Sequence, residues 1–460
     1  MTAKKWTVFI CIGIVFVITI FKGVQIHKKN FLTHDESITF LANAANEMKY
    51  FEMLDQRSSF TAEEIKKLYF VNTVSFSSVA KDMGLFDIHP PLYYFSASIL
   101  CYLFGPDVKV LLWFNVFLGL LSLSFLYKLA KSHIGHISAY LVIALWSLTP
   151  VVLYNGFEAR HYMLFELLAF IYLFIWLRPT TKVNRDYILS SIICVMGLLT
   201  HYYFALVVFS VGTLLLVKQR NILLKWIIYH IASLGVIALV DPYFLNPILT
   251  LYGENNPESI KITESSIITK IKVFIYNHMH FFSEIRYVIY AFLLGIPIVL
   301  VIFRKKLLEL LQIPNLTIPF AVLLSLNFVL YILTISPSHA VSNEYFCFGW
   351  GLLCILIVFL LKKRATVFLI ATVLCSTIFS ANFNGVRYVD TIPNDFLLKL
   401  SRAKEVQINT RSRGYVSRIV WLMPDQCQVK LRDGGTYSNS AVIDNSLAHE
   451  ITVGDVTFHY

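Results

Sequence analysis

The chain has 460 residues, 57% of them hydrophobic and only 15% charged, with a formal net charge of +11. A soluble protein of this size carries roughly a quarter of its residues charged, so the recurring apolar runs of about 17–25 residues mark a polytopic α-helical membrane protein. The positive charge does not point to nucleic acid. It falls in short clusters between apolar runs, not along one soluble face with interleaved aromatics.

The N-terminal stretch MTAKKWTVFICIGIVFVITIF has the basic start of a signal peptide. Its apolar run is long and no small-residue cleavage site follows, so it reads as a retained signal anchor. Eleven spans are predicted, at about 6–26, 108–127, 137–154, 162–178, 187–200, 203–217, 222–240, 286–303, 316–335, 345–361 and 365–381. Five loops then share a side with the N-terminus. They hold fourteen basic residues (Lys128, Lys131, Arg178, Lys182, Arg185, Lys218, Arg220, Lys225, Arg304–Lys306 and Lys362–Arg364) against Asp186 and Glu309. That asymmetry assigns them, and the N-terminus, to the cytoplasm. No 20–50-residue repeat is visible, which argues against a solenoid.

Residues 88–104 are left out of the spans. Leu92 to Phe104 is only thirteen residues, about 20 Å of helix against about 30 Å of hydrocarbon. The preceding segment 27–87 holds nine acidic and seven basic residues, unlike the basic loops. A helix lying in the interface or dipping back onto the bundle is expected. The extracytoplasmic side then carries 27–107, 241–285 and the tail 382–460. The tail alternates apolar and polar residues in RIVWLMPDQCQVKLRDGG, which suggests a small α/β domain. Six of seven cysteines lie in apolar segments, Cys427 in the tail, and no pair has metal-ligand spacing.

Four short stretches carry residues suited to chemistry. In the first, Thr33 and Glu36 fit a capping box opening the helix SITFLANAANEM. Asp35 and Glu36 also read as a general base or metal ligand, although neighbours on a helix point about 100° apart, so one carboxylate faces a substrate. In His89-Pro90-Pro91-Leu92-Tyr93-Tyr94, the prolines suit a helix start and fix the backbone that aims the His. The loop NGFEARHY offers Glu158 as a second acid and Arg160 as a phosphate partner; the plainer reading pairs the two with each other. Glu166, inside a span, is a functional candidate by its location. Thr200-His201-Tyr202-Tyr203 closes the set, with an interfacial aromatic belt as its plain alternative. His230, within a span, reads as a packing residue.

At these residues the sequence resembles the GT-C superfamily of membrane glycosyltransferases, in the branch of protein O-mannosyltransferases and the lipid A aminoarabinose transferase (glycosyltransferase family 39). Asp35-Glu36, His89-Pro90-Pro91, Glu158-Ala159-Arg160-x-Tyr162 and Thr200-His201-Tyr202 match in order, over residues 1–240; the rest matches by hydropathy alone. The resemblance implies a GT-C fold: a transmembrane domain at 1–381 with juxtamembrane helices on its outer face, and a C-terminal domain at 382–460. It implies inverting transfer from a polyprenyl-phosphate sugar, with Asp35 as the base and Glu36 and Glu158 as accompanying acids. His89, Tyr93, Arg160, Tyr162, His201, Tyr202 and Arg286 are the expected substrate contacts. The family's late Arg-Tyr is here Asn343-Glu344-Tyr345, so Arg160, His201 and Arg286 stand in for its phosphate clamp. The Gly-Lys that protein mannosyltransferases carry after His-Pro-Pro-Leu is replaced by Tyr93-Tyr94.

The expected acceptor is an envelope glycan or glycolipid, such as O-antigen or lipid A, with a protein Ser/Thr as alternative. The enzyme would sit in a bacterial inner or plasma membrane with its C-terminus outside. No metal ligand or cofactor is assigned, since paired acids fit a divalent ion and base catalysis equally well. Two non-enzymatic readings compete. One is a transporter or flippase of lipid-linked sugars, which calls for deep paired charges and an inverted repeat; the other is a membrane scaffold.

Overall fold

A computed structural model describes residues 3–246 apart from positions 30, 88, 150–151 and 153–154, together with 347–361, 398–409, 413–431, 450–453 and 456–459. The predicted spans 286–303, 316–335 and 365–381 lie outside these residues, as do Arg286 and Asn343-Glu344-Tyr345. Among the described residues the membrane part is a helical bundle. It comprises α1 (Ala3–Lys28), α7 (Val108–Ile134), α8 (His136–Ser147), α9 (Tyr162–Leu177), α10 (Asn184–Leu198), α11 (Phe204–Lys218), α12 (Arg220–Val240) and α13 (Cys347–Leu361). Three of these, α1, α7 and α12, are long and apolar enough to cross a membrane.

The helices begin and end where local chemistry directs. The Asp107 side chain accepts the Lys109 N–H at 2.8 Å and caps α7. Gly135, at φ +84°, ends α7 and lets α8 start at once. Helix α9 is apolar almost all round, and fourteen of its sixteen residues are buried, as expected of a helix at the centre of a bundle. It packs on α7, α8, α10, α11 and α13. On α1 and α12, by contrast, Phe9, Phe16, Ile231 and Leu239 are exposed, the surface a hydrocarbon environment would cover.

Between α1 and α7 run five short helices: α2 (His34–Asn43), α3 (Glu47–Gln56), α4 (Ala62–Lys67), α5 (Phe76–Phe86) and α6 (Leu92–Phe104). Helix α6 has the thirteen residues expected of it. Two prolines open it, at positions where a missing N–H costs nothing. It buries Tyr93, Tyr94, Ala97 and Cys101 toward α2 and α7 and leaves Tyr102, Leu103 and Phe104 exposed.

The tail does not stand apart from this loop. Strand β1 (Ser59–Thr61) pairs antiparallel with β3 (Gln428–Leu431), Phe60 opposite Val429. With β2 (Glu405–Asn409), β4 (Glu450–Val453) and β5 (Val456–His459) they form one sheet of order β1-β3-β2-β4-β5, in which β2 and β3 are parallel. Helix α14 (Arg413–Val420) lies against α2. There Ser417 Oγ and Ser37 Oγ are 2.8 Å apart, and Trp421 stacks on Phe40 at 6.1 Å between ring centroids. Of the alternating stretch 418–435, residues 418–420 end a helix and Gln428–Leu431 forms a strand, and the sheet incorporates a strand from the first loop.

Candidate active site

The Thr33 capping box forms in full. Thr33 Oγ1 accepts the Glu36 N–H at 3.2 Å, and Glu36 Oε2 accepts the Thr33 N–H at 2.9 Å. The other oxygen, Glu36 Oε1, accepts from Lys29 Nζ at 2.7 Å and from the Ala159 backbone N–H at 2.9 Å. Glu36 is therefore fully buried and bonded to three chain segments. Oε1 ties Lys29 and the loop 155–161 to the start of α2, while Oε2 closes the capping box.

One residue earlier, about 100° round the helix, Asp35 is different. Its side chain is 37% exposed, and the nearest cationic atom is Arg160 Nε at 3.9 Å. No hydrogen bond holds its carboxylate among the described residues. Burial by itself would raise the Asp35 carboxyl, but Arg160, then His34 and His89, outweigh it and hold it below the ordinary value. Asp35 is thus held ionised while its side chain remains accessible.

Arg160 is buried, and its Nη1 donates to Tyr94 Oη at 3.0 Å and Thr39 Oγ1 at 3.4 Å. Its backbone is set by Asn115 on α7, whose Nδ2 donates to the carbonyls of Glu158 at 2.6 Å and Arg160 at 3.2 Å. Glu158 Oε1 accepts from Thr33 Oγ1 at 3.4 Å. Of the two tyrosines, Tyr94 contacts Arg160. Tyr93 is packed against Phe114 of α7 at 6.1 Å. Asn115 is a residue that motif reading passes over, and within the Tyr93-Tyr94 pair the motif points to Tyr93 where Tyr94 makes the contact. An Asn in an apolar helix has no local signature, and which Tyr points inward depends on how α6 docks.

The His-Pro-Pro stretch is docked by one main-chain bond, Leu92 N–H to the Leu199 carbonyl at 2.8 Å. This sets His89 beside the turn after α10. Gly197 allows that turn, since a Cβ there would lie 2.4 Å from the Phe204 ring. His89 lies 4.7 Å from His161 and 6.1 Å from His201 between ring centroids, and His161 is 4.9 Å from His201. Asp87 Oδ1 bonds His89 Nδ1 at 2.7 Å. Burial pushes His161 and His201 well below the usual histidine value, reinforced by the neighbouring His89. Tyr162 is buried in the first turn of α9, its ring beside His161. Tyr202 donates to the Phe244 carbonyl at 2.8 Å and so anchors the segment after α12.

Two intramembrane residues meet buried partners. Glu166 Oε1 accepts the Trp146 indole N–H at 3.0 Å, and His230 bonds Tyr172 Oη and the Trp226 carbonyl, both at 2.8 Å. The cluster lies at one end of the bundle. The opposite end holds the paired Arg178 and Asp186 and the Lys225–Asn184 contact.

Residues 88–245 match the model of the dolichyl-phosphate-mannose-protein mannosyltransferase family, the part of the chain that carries His89, Glu158, Arg160 and His201. The crystal structure of ArnT from Cupriavidus metallidurans bound to undecaprenyl phosphate superposes with a TM-score of 0.51 at 13% identity, covering 92% of this chain and 75% of ArnT. The chain resembles a GT-C glycosyltransferase in sequence and in fold. The apo ArnT structure matches at a TM-score of 0.45 and 14% identity, over 75% of this chain and 68% of ArnT. No curated protein matches by sequence. The up-and-down bundle accounts for the cluster's location, because alternate loops meet at the same end of it.

Proposed function

We propose that this GT-C protein transfers a sugar from a polyprenyl-phosphate donor to an acceptor hydroxyl on the extracytoplasmic face of a bacterial inner or plasma membrane. The observation that carries this reading is the contrast between Asp35 and Glu36. One carboxylate is buried and bound on both oxygens; its neighbour is ionised, accessible and 3.9 Å from a buried Arg. An enzyme of this kind needs one base for the acceptor and one cation for the leaving phosphate. ArnT, whose fold the chain shares, was crystallised with undecaprenyl phosphate, which supports a lipid of that class as donor.

In the proposed step the acceptor O–H gives its proton to Asp35 while its oxygen bonds the anomeric carbon. The bond from that carbon to the phosphate oxygen breaks on the opposite face, so configuration inverts. The phosphate leaves with the electron pair toward Arg160, whose guanidinium donates in a planar fork. Thr39 and Tyr94 orient Arg160, while Lys29, Glu36 and Asn115 keep α2 and the 155–161 loop in register. Glu158, His89, His201, Tyr162 and Tyr202 line the same end of the bundle. Membrane helices of 1–381 and an outer C-terminal unit at 382–460 complete the proposed organisation. The acceptor is proposed to be an envelope glycan or glycolipid, because Tyr93-Tyr94 stands where protein-modifying relatives carry Gly-Lys.

The test is mass spectrometry of surface glycans with and without this gene, paired with in vitro transfer from an undecaprenyl-phosphate sugar. Loss of one sugar on deletion, restored by wild type and not by Asp35→Asn, supports the reading. Movement of labelled lipid across vesicles without any transfer would instead establish a transporter.

A further inference from the structure

We propose that His89, His161 and His201 form a binding site for one divalent cation of the zinc class, with three imidazole ligands and an open fourth position. Each offers a ring nitrogen, and these nitrogens lie within 4.8 Å of one another, all three residues being buried. A tetrahedral ion with nitrogen ligands at about 2.0–2.1 Å would draw them to about 3.4 Å apart, a contraction within reach of side-chain rotation. The proposal stands whether or not the protein transfers sugars.

His161 separates this arrangement from ordinary packing. It is fully buried, and neither of its ring nitrogens has a hydrogen-bond partner among the described residues. A packing histidine satisfies both, as His230 does with Tyr172 and Trp226. Unpaired buried nitrogens are rare because desolvation is not repaid, and coordination is one way to use them. Behind His89, Asp87 Oδ1 at 2.7 Å from Nδ1 leaves Nε2 as the ligand atom, the carboxylate–histidine arrangement common behind bound metals. His201 is the adaptable ligand. Its Nδ1 accepts the Tyr203 N–H at 3.0 Å, so it must rearrange about that bond to reach an ion. Asp87 supplies a negative charge beside His89, and Arg160 is the positive charge within electrostatic reach of His161 and His201.

Imidazole ligands with no thiolate or carboxylate in the set favour zinc over magnesium or calcium. The three histidines come from three loops far apart in sequence, so the ion would staple those loops together. The fourth position would remain for water or an oxygen of a bound molecule.

The experiment uses the tag-free full-length chain in detergent, stripped with chelator and dialysed against zinc, with bound metal counted by elemental mass spectrometry. Wild type is expected to hold one zinc per chain and, loaded with cobalt instead, to show the d–d absorption of a tetrahedral nitrogen site. His161→Ala and His89→Ala should lose stoichiometric metal, and Asp87→Asn should weaken it about 10–100-fold. His136→Ala, at an exposed position, should bind as wild type. Gel filtration and circular dichroism check folding, and His161→Gln replaces the alanine variant if that one misfolds. A stripped wild type that takes up no zinc and shows no cobalt spectrum overturns the proposal, as does full zinc binding in folded His89 and His161 variants.

Discussion

Lys29 donates to Glu36 at 2.7 Å inside the protein, with side chains 8% and 0% exposed. The ion pair closes a ring of contacts, because Lys29 also donates to the Phe157 carbonyl at 3.0 Å and Glu36 accepts the Ala159 N–H. Two segments that border the site are thus held by one pair of charges. Breaking a buried pair leaves an uncompensated charge, and the cost is about 3–5 kcal/mol. Lys29→Ala and Glu36→Ala should each lower unfolding stability on that scale. The double variant should lose less than the sum, measured as a double-mutant cycle in detergent.

Asp35 is predicted to behave oppositely. Its carboxylate holds no hydrogen bond among the described residues, and the capping box belongs to Thr33 and Glu36, so Asp35→Asn should leave the unfolding midpoint close to wild type. Sugar transfer should fall by at least about 10²-fold, the lower range for loss of a positioned base. Full transfer by a folded Asp35→Asn protein would remove Asp35 from its role.

The pH dependence follows from Arg160. Asp35 is held below the ordinary carboxyl value of about 3.9, so its stabilising contribution is complete above that pH. It is lost as pH falls through the still lower folded value. The base is accordingly ionised across the neutral range, and the acid limb of the rate profile should lie below about pH 4. In Arg160→Met the opposing charge is gone while burial remains, so the limb should move to higher pH. A limb at the same pH in both proteins would show that Arg160 does not set the ionisation of Asp35.

Strand pairing makes a topological prediction. Because Phe60 lies opposite Val429 in one sheet, reporters inserted near residue 60 and in the tail must report the same side of the membrane. That side should be the outside, given fourteen basic residues on the other set of loops. Reporters placing the two on opposite sides would contradict the sheet itself.

The tail should also support the site mechanically. Trp421 stacks on Phe40 of α2, the helix whose first turn carries Asp35, and also contacts Tyr69 at 5.7 Å. Trp421→Ala should destabilise by on the order of 2 kcal/mol and loosen α2, read as faster hydrogen exchange there.

Local chemistry made several features legible from the residues alone. Hydrophobic run length sets the membrane class. The Thr33–Glu36 box and the prolines before Leu92 depend only on neighbours within a turn, so α2 and α6 start where expected. The four motif stretches also converge at one end of the bundle, since alternate helix ends must meet there. What no local pattern specifies is which way each side chain turns once the helices dock. Asp35 and Glu36 look interchangeable in the sequence; only the approach of Lys29 and Ala159 makes one an anchor and leaves the other exposed. Tyr94 rather than Tyr93 reaches Arg160 for the same reason. The bond from Leu92 to Leu199, the pairing of Ser59–Thr61 with Gln428–Leu431 and the gathering of His89, His161 and His201 join residues far apart along the chain. Such contacts are decided by packing in three dimensions, where loop-closure entropy is offset by burial, and neither periodicity nor motif spacing records them.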